Sequence, residues 1–387
     1  MQIPLLPRND LTDCSAEIVA YGGDESFLRT PKRIRSSNEP ITGIDLFSGI
    51  GGLSLGIEAA ALDLGFDFKP IAAFENNVEA ATVYGDNFGC RAFQDNILTY
   101  FNRFDATLSQ FESAFQRKTV DFLLAGPPCQ GHSDLNNYTR RGDARNELYY
   151  VVARAAQVFS PTHVIIENVP GARHDRSKVV QKTIDALQKL HYSVSCLLLD
   201  AFDFGVAQNR RRLFIIASKH VMADRHDLMR RFRCEARNLD FAISDLQGLT
   251  NRCIISETPG ETRALNKKRI DFLFDNELFD LPDEMRPECH RYGGHTYRSV
   301  YGRLSWHKPS QTITRGFHSI SMGRYIHPSE RRTITAHEAA RIQFLPDFFD
   351  FSAIKSRSSL ADVIGNAVPP KMGFVLAKYL LENCDFR

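Results

Sequence analysis

The sequence has no CxxC pair, no long apolar run and little excess charge. Its eight cysteines lie singly from Cys14 to Cys384, which argues against a zinc-ligand motif and against a small disulfide framework. Nowhere do about eighteen apolar residues follow one another, and the N-terminus lacks a basic segment followed by an apolar run. We therefore expect no metal, no membrane span and no signal peptide, and a reducing compartment.

Charge and size leave several classes of protein open. The net charge of +2 does not identify a nucleic-acid binder, because phosphate contacts depend on local clusters that a whole-chain balance conceals. A chain of 387 residues with 43% hydrophobic residues can bury the cores of two lobes.

Short apolar runs alternate with helix-length segments in the first part of the chain. The runs occupy residues 44–47, 70–75, 121–126, 163–168 and 212–217. This alternation predicts an α/β fold with a doubly wound, mostly parallel sheet, in which ligands bind at the C-terminal ends of the strands.

The sequence also predicts a second, smaller lobe. After Lys219 it becomes irregular and turn-rich, and no clear strand–helix alternation returns before the helix-like segment TAHEAARIQFL. We expect an N-terminal extension (1–40), a first lobe (41–238) completed by residues 352–387, and a second lobe with a hinge (239–351).

A glycine-rich turn, DLFSGIGGLSLG at residues 45–56, follows the first predicted strand. Such a turn lets the backbone approach a ligand closely, although many strand–helix connections carry glycine for steric reasons alone. Glu75 ends the next strand, where doubly wound folds place an acceptor for ribose hydroxyls. Asp95 could accept a hydrogen bond from an adenine amino group, or simply cap a helix. Together they suggest a nucleotide site.

Three further strand ends carry reactive or charged groups. Cys129 follows two prolines in DFLLAGPPCQGHS, and Glu167 precedes Asn168 at the end of HVIIEN. The segment AQNRRRLFIIA begins with Gln208, Arg210 and Arg212. Each residue alone has an ordinary explanation, such as a buried thiol, a helix cap or a solvated basic face. Their joint placement at one edge predicts a catalytic site.

These segments resemble motifs of the cytosine-C5 DNA methyltransferase family. GPPCQGHS, ENV, QNRRR, RRTITAHEAARIQFLPD and GNAVPP occur in the family's order, from about Gly43 to the C-terminus. Two positions depart from the usual pattern: His132 stands where phenylalanine is common, and Asn96 separates Asp95 from the following isoleucine. The resemblance implies a Rossmann-like methyltransferase that uses S-adenosylmethionine.

The resemblance also implies which residues contact this cofactor. They are Phe47, Ser48, Gly49, Gly51, Gly52, Glu75, Asn76, Asp95, Asn96, Pro127 and Asn366.

The expected catalytic residues are Cys129, Glu167, Arg210 and Arg212. A thiolate at Cys129 would attack C6 of cytosine, which makes C5 nucleophilic, while Glu167 would hydrogen-bond the N3 edge. Arg212 would reach the base carbonyl oxygen, and Arg210 with Gln208 would orient the Glu167 region.

The expected partner is double-stranded DNA with the target base flipped out of the helix. The segment 129–150 carries Arg140, Arg141 and Arg145 for phosphates, and the second lobe would recognise the target sequence. Glu338 and Arg341 would brace the two lobes. A cognate restriction endonuclease would act separately, and a monomer is adequate. The location would be the cytoplasm, at the nucleoid, or the nucleus of a eukaryote.

Three other functions remain open at this point. An RNA-directed methyltransferase of the same family is disfavoured by the full-sized second lobe. A catalytically silent DNA-binding relative is disfavoured because Cys129, Glu167 and Arg212 are all present. A Rossmann-type oxidoreductase would leave Cys129 and the arginine-rich segment without roles.

Overall fold

The computed structural model describes residues 16–33, 39–101, 120–128, 148–174, 178–251, 253–291 and 299–384. At its centre is a seven-stranded sheet with the strand order β3-β2-β1-β4-β5-β7-β6. The strands are β1 Ile41–Leu46, β2 Phe68–Phe74, β3 Ala92–Phe93, β4 Phe122–Ala125, β5 His163–Asn168, β6 Ser193–Asp200 and β7 Arg211–Ser218.

Helices surround this sheet. In the described residues they are α1 Asp24–Arg29, α2 Gly52–Asp63, α3 Val78–Phe88, α4 Ile97–Phe101, α5 Leu148–Phe159, α6 Val179–Lys189, α7 Arg225–Phe232, α8 Leu239–Ile243, α9 Ala264–Asp275, α10 Ala336–Ile342, α11 Arg357–Asn366 and α12 Pro370–Glu382. Short 3-10 turns occupy Val19–Tyr21, Pro170–His174, Ala201–Phe204, Ser244–Leu246, Ile255–Glu257, Asp283–Met285, Glu288–His290 and Ile320–Met322.

The predicted α/β class with a mostly parallel sheet is confirmed. Strands β1 to β5 pair in parallel, whereas β7 runs antiparallel to both β5 and β6. Strand β6, whose sequence SVSCLLLD was not among the predicted runs, is the edge strand next to β7. Because β7 is reversed, its first residues lie beside the last residues of β5, and Leu213 pairs with Asn168.

Two apolar layers cover the sheet. On one face, α2 and α12 pack together over residues such as Phe122, Ile165 and Phe214. On the other face, α5 and α6 cover residues such as Leu123 and Val164. The final helix α12 thus packs against α2 on one face of the sheet.

The second lobe has a small core of its own around α9, formed by Ile270, Leu273, Leu281, Val300, Tyr301, Ile320 and Ile326. By contrast, Leu239 of α8 and Ala339 of α10 lie in the large core that includes α2 and α12. The buried residues of this separate core lie between positions 270 and 326.

The N-terminal segment 16–33 packs into the body of the molecule. Phe27 of α1 stacks on Phe344, with ring centroids 5.7 Å apart. Asp24 and Lys371 form a fully buried ion pair between α1 and α12. The described part of the predicted extension is consequently a structural element of the first lobe.

No helix within the described ranges is both long enough and apolar enough to cross a membrane.

Candidate active site

Glu167 and Arg212 form an ion pair at the edge where β5 ends and β7 begins. Arg212 Nε lies 2.8 Å from Glu167 Oε1, and 15% and 12% of the two side chains are exposed. The antiparallel register places Phe214 opposite Glu167, so Arg212, two residues earlier, is on the same face of the sheet. The structure therefore brings these two predicted residues together.

Asn168, beside Glu167, anchors the loop that follows β4. Its Nδ2 donates to the Pro127 carbonyl oxygen at 2.9 Å, and its Oδ1 accepts the Val169 amide at 2.7 Å. Both hydrogen bonds satisfy polar groups of a buried amide. Pro127 is thus fixed next to the Glu167 strand end. Cys129 itself, like Arg140, Arg141 and Arg145, lies outside the described residues.

The glycine-rich turn is tied to the next strand end through Glu75. Glu75 Oε2 accepts the Gly49 amide at 2.9 Å, and Oε1 accepts the Asn77 amide at 2.8 Å. Burial raises the pKa of Glu75, and the backbone N–H groups of Asn77, Gly49 and Asn76 act in the opposite direction because they stabilise the carboxylate. The Glu75 carboxylate therefore fixes the backbone of the glycine-rich turn at Gly49.

The backbone of this turn uses an unusual conformation. Phe47 has a φ of 55° and Gly51 a φ of 91°, in the left-handed region that only glycine adopts without strain. A Cβ atom at Gly51 would lie 2.9 Å from Tyr84 Cδ2, so space as well as conformation demands glycine there. Ser48, which lies between Phe47 and Gly51 in the sequence, is half-buried. Its amide donates to the Phe74 carbonyl oxygen.

The third strand end carries Asp95 and Asn96, both exposed. Tyr100 Oη donates to Asp95 Oδ2 at 2.6 Å, and the Leu98 amide donates to Asn96 Oδ1 at 3.1 Å. The Glu75 amide donates to the Phe93 carbonyl oxygen, which joins this strand end to the previous one. Glu75, Asn76, Asp95 and Asn96 consequently share one edge of the sheet.

Asn366 ends α11 and is exposed, in the segment that returns to the glycine-rich turn. A Cβ atom at Gly52 would overlap the Val368 carbonyl oxygen, so the two backbones are in direct contact. Here glycine serves packing between chain segments, one of the steric roles considered from the sequence.

Arg210 contacts the Asn366 segment and the second lobe. Its guanidinium donates to the carbonyl oxygens of Ile313 at 3.0 Å, Gly365 at 3.3 Å and Ala367 at 2.9 Å. Gln208 accepts the Ile313 amide and donates to Gln343. These hydrogen bonds hold the segments around Asn366 and Ile313. That Arg210 and Gln208 orient the Glu167 region and the loop stays a prediction.

Sequence reasoning missed several residues that support the site. Ser54 Oγ donates to Asp45 Oδ2 at 2.7 Å beneath the glycine-rich turn and lies 3.0 Å from Tyr84 Oη. Burial raises the pKa of Asp45 to about 7, despite the opposing Ser54 hydrogen bond. Gln343 Nε2 donates to the Ile364 and Ala367 carbonyl oxygens. A carboxylate inside an apolar strand was the available signal for Asp45; Gln343 gave none.

Known proteins are similar to this chain in sequence. A family model for C-5 cytosine-specific DNA methylases matches residues 41–382, so the chain belongs to that family. It is 42% identical to the Type II methyltransferase M1.BsuMI of Bacillus subtilis, over 98% of this chain and 90% of the relative. It is 28% identical to the Type II methylase M.HgiDII of Herpetosiphon aurantiacus, over 87% and 93%.

Solved structures share the fold. A prophage-encoded protein of Escherichia coli, assigned as a DNA modification methyltransferase, superposes with a TM-score of 0.61 at 25% identity, covering 88% of this chain and 99% of that one. The Dnmt2 methyltransferase of S. pombe gives a TM-score of 0.59 at 16% identity, covering 90% and 100%. This second likeness shows the fold alone.

The chain is therefore a DNA (cytosine-5-)-methyltransferase, and its family implies S-adenosylmethionine as methyl donor. Glu75, Asn76, Asp95 and Asn96 share one edge of the sheet, called the cofactor edge below. These residues fit S-adenosylmethionine. Two carboxylates, Glu75 and Asp95, stand at neighbouring strand ends, where hydroxyl and amino groups need acceptors. The exposed Asn366 belongs to a segment in contact with the glycine-rich turn.

Proposed function

We propose that the chain transfers a methyl group from S-adenosylmethionine to C5 of a flipped-out cytosine in a specific double-stranded DNA sequence. A transient bond between the Cys129 sulfur and C6 of the base carries the reaction. The observation that supports this most directly is the Glu167–Arg212 ion pair next to Asn168, whose side chain holds Pro127, two residues before Cys129.

Glu167 and Arg212 act on the charge that nucleophilic attack creates. Addition of the Cys129 thiolate to C6 moves electron density onto N3 and C5 of the ring. Glu167 enters this step protonated, gives that proton to N3 and becomes the carboxylate that pairs with Arg212 Nε, while the Arg212 guanidinium also stabilises the base carbonyl oxygen. Glu167 and Arg212 are partly buried, so solvent screens their electrostatic interaction with the base less than it would in water.

The later steps methylate C5 and release Cys129 from the base. C5 takes the methyl carbon, and the C5 proton then passes to a bound water or hydroxide. The C6–sulfur bond breaks, the proton on N3 returns to Glu167, and Cys129 is released as a thiolate. Arg210 contributes by holding the backbones of the Ile313 and Asn366 segments together.

S-adenosylmethionine would supply an electrophilic methyl group on its sulfonium, with S-adenosylhomocysteine as the product. The turn formed by Phe47, Ser48, Gly49, Gly51 and Gly52 would receive its amino-acid portion, and Pro127 would border it. Glu75 with Asn76 would bind the ribose, Asp95 with Asn96 the adenine, and Asn366 would close the pocket.

The DNA partner follows from the chemistry of the base. C6 of a stacked cytosine is shielded, so the base must leave the duplex at a cost of a few kcal/mol. The second lobe, within residues 239–351, would select the sequence. We propose that the protein works as a monomer. It acts either in a restriction–modification system, with a separate restriction endonuclease as its counterpart, or without any endonuclease.

The substrate assignment is tested with tritium-labelled S-adenosylmethionine and three acceptors: unmethylated genomic DNA, a single-stranded copy of it, and transfer RNA. We expect label on C5 of cytosine in duplex DNA, found by digestion and chromatography of the nucleosides. Label on adenine, or on RNA alone, would refute the assignment.

The covalent step is tested by Cys129→Ser with Cys253→Ser as a matched control, because Cys253 is exposed and lies in the second lobe. Cys129→Ser should abolish methyl transfer yet bind S-adenosylhomocysteine normally by calorimetry. A duplex with 5-fluorocytosine at the target should trap the native and Cys253→Ser proteins covalently, since fluorine cannot leave as a proton does. Turnover by Cys129→Ser would remove the mechanism.

A further inference from the structure

Tyr100 hydrogen-bonds a carboxylate at the cofactor edge, and the proposed mechanism does not use it. Its Oη donates to Asp95 Oδ2 at 2.6 Å, across one turn of chain from the end of β3 to α4. Asp95 is exposed, so without this contact its carboxylate would rotate in solvent. The hydrogen bond restricts one of the two carboxylate oxygens.

An aromatic cluster fixes the Tyr100 ring. Its centroid lies 5.3 Å from that of Phe74 and 5.7 Å from that of Phe93, and Phe74 and Phe93 stack at 5.2 Å. Such edge-on and offset contacts favour a defined ring orientation. Burial, together with the hydrogen bond and charge of Asp95, raises the pKa of Tyr100 to about 12. The phenol therefore remains a donor throughout the physiological range.

Helix capping does not explain the position of Asp95. The first turn of α4 is satisfied by Asn96, whose side-chain oxygen accepts the Leu98 amide and whose backbone oxygen accepts the Thr99 amide. The Asp95 carboxylate is thus held at the edge of the sheet by Tyr100, while its neighbour performs the cap.

We propose that Tyr100 is a positioning residue for the adenine end of the methyl donor, fixing Asp95 so that its other oxygen accepts the exocyclic amino group. The inference rests on the proposed function, which places Asp95 at the adenine. If Asp95 is already fixed before the ligand binds, binding does not have to lower the conformational entropy of the Asp95 side chain, and the affinity is higher. Tyr100 acts through Asp95 and should affect ligands that carry the amino group.

Calorimetry on the full-length protein separates this role from a general structural one. The probes are S-adenosylhomocysteine and S-inosylhomocysteine, in which a ring carbonyl replaces the amino group. We expect Tyr100→Phe to weaken S-adenosylhomocysteine binding about tenfold and to leave S-inosylhomocysteine binding unchanged within twofold. Equal weakening of both ligands, or no weakening of the first, would overturn the proposal.

Two further variants make the result specific. Tyr192→Phe removes a phenol hydrogen bond elsewhere in the fold, a buried one to the Pro161 carbonyl oxygen, and should change neither affinity. In an Asp95→Asn background, Tyr100→Phe should cost less than twofold, and an undiminished tenfold loss there contradicts the inference.

The same titrations distinguish failure of the inference from failure of the proposed function. A native protein that does not bind S-adenosylhomocysteine overturns both. A native protein that prefers it over the inosine analogue, with the same preference in Tyr100→Phe, overturns only the role of Tyr100.

Discussion

At the residue scale, the site depends on polar side chains that hold one another at strand ends. Glu167 contacts Arg212, and its neighbour Asn168 holds the Pro127 carbonyl oxygen. Each contact joins elements that are far apart in sequence, so its loss affects geometry as well as charge. Arginine suits this arrangement because its planar fork can serve two acceptors at once.

Arg212→Lys should lower kcat about a hundredfold with little change in S-adenosylhomocysteine affinity. A lysine ammonium is a point charge and cannot remain on Glu167 while also stabilising the base carbonyl oxygen. Arg211→Lys is the matched control, because Arg211 is exposed and points to the opposite side of β7. Single-turnover methylation at saturating DNA measures the rate, and equal rates for the two variants would contradict the assigned role.

His337 is held by two carboxylates that raise its pKa. Its ring nitrogens lie 2.7 Å from Glu257 and 2.7 Å from Asp347, and Asp347 also pairs with Arg341. Burial alone would lower the pKa of His337, but hydrogen bonds to Asp347 and Glu257 outweigh burial and raise the pKa to about 9. A protonated His337 therefore joins α10 to the 3-10 turn Ile255–Glu257.

Stability should fall as pH rises through this range. The folded pKa of His337 is above the unfolded value near 6.5, so its contribution is complete below that value and is lost as pH approaches 9. The loss is at most about 3 kcal/mol. Urea unfolding at pH 6.5, 8 and 9.5 measures it, and His337→Gln should flatten the profile. An identical slope in that variant excludes His337 as the cause.

At the element scale, packing between α2 and α12 decides what helix propensity cannot. Gly56 and Gly85 both lie inside helices, where alanine is intrinsically preferred by about 1 kcal/mol. A Cβ atom at Gly56 would overlap the Pro370 carbonyl oxygen and lie 2.5 Å from Phe374 N. At Gly85 the nearest atom, Cys90 O, is 3.8 Å away.

Alanine at these two positions should therefore have opposite effects. Gly85→Ala should stabilise the protein by about 0.5–1 kcal/mol, because the helix gains propensity without a clash. Gly56→Ala should destabilise it by about 1–3 kcal/mol, because backbone atoms of α12 must move. Chemical denaturation of both variants gives the signs, and stabilisation by Gly56→Ala would show that the two helices are further apart.

At the scale of the whole molecule, the N-terminal segment closes the first lobe. Lys371 of α12 donates to both oxygens of Asp24 at 2.5 and 2.6 Å, and Arg237 donates to the same carboxylate at 2.8 Å. Asp24 and Lys371 are fully buried. One carboxylate thus connects α1, α12 and the segment that leads to α8.

Asp24→Ala should cost about 3–5 kcal/mol of unfolding free energy, because the Lys371 charge is left buried without its partner. Asp275→Ala is the control: it breaks an exposed pair with Arg331 and should cost less than about 1 kcal/mol. Both are measured by denaturant unfolding monitored by circular dichroism. Comparable losses would mean that Lys371 finds water or another partner when Asp24 is removed.

Local signals predicted much of the fold and the charged groups of the site. Apolar runs marked β1, β2, β4, β5 and β7, and the residues at their ends included Glu75, Glu167 and Arg212. Strand β6 was missed because its position at the sheet edge is set by pairing with β7. The hydrogen bonds of Arg210 to backbone carbonyl oxygens were not anticipated, because such partners leave no trace in residue identity.

The sequence by itself determined the α/β class, the family motifs and the residue types available for catalysis, because strand alternation and motif order are local properties of the chain. Only the tertiary structure decided that β7 is reversed, which places Arg212 beside Glu167, and that residues 16–33 belong to the core. It also decided which side chains hold the residues at the strand ends, as Asn168 holds Pro127 and Tyr100 holds Asp95. Such outcomes depend on contacts between distant segments, whose free energy exists only when the chain has folded.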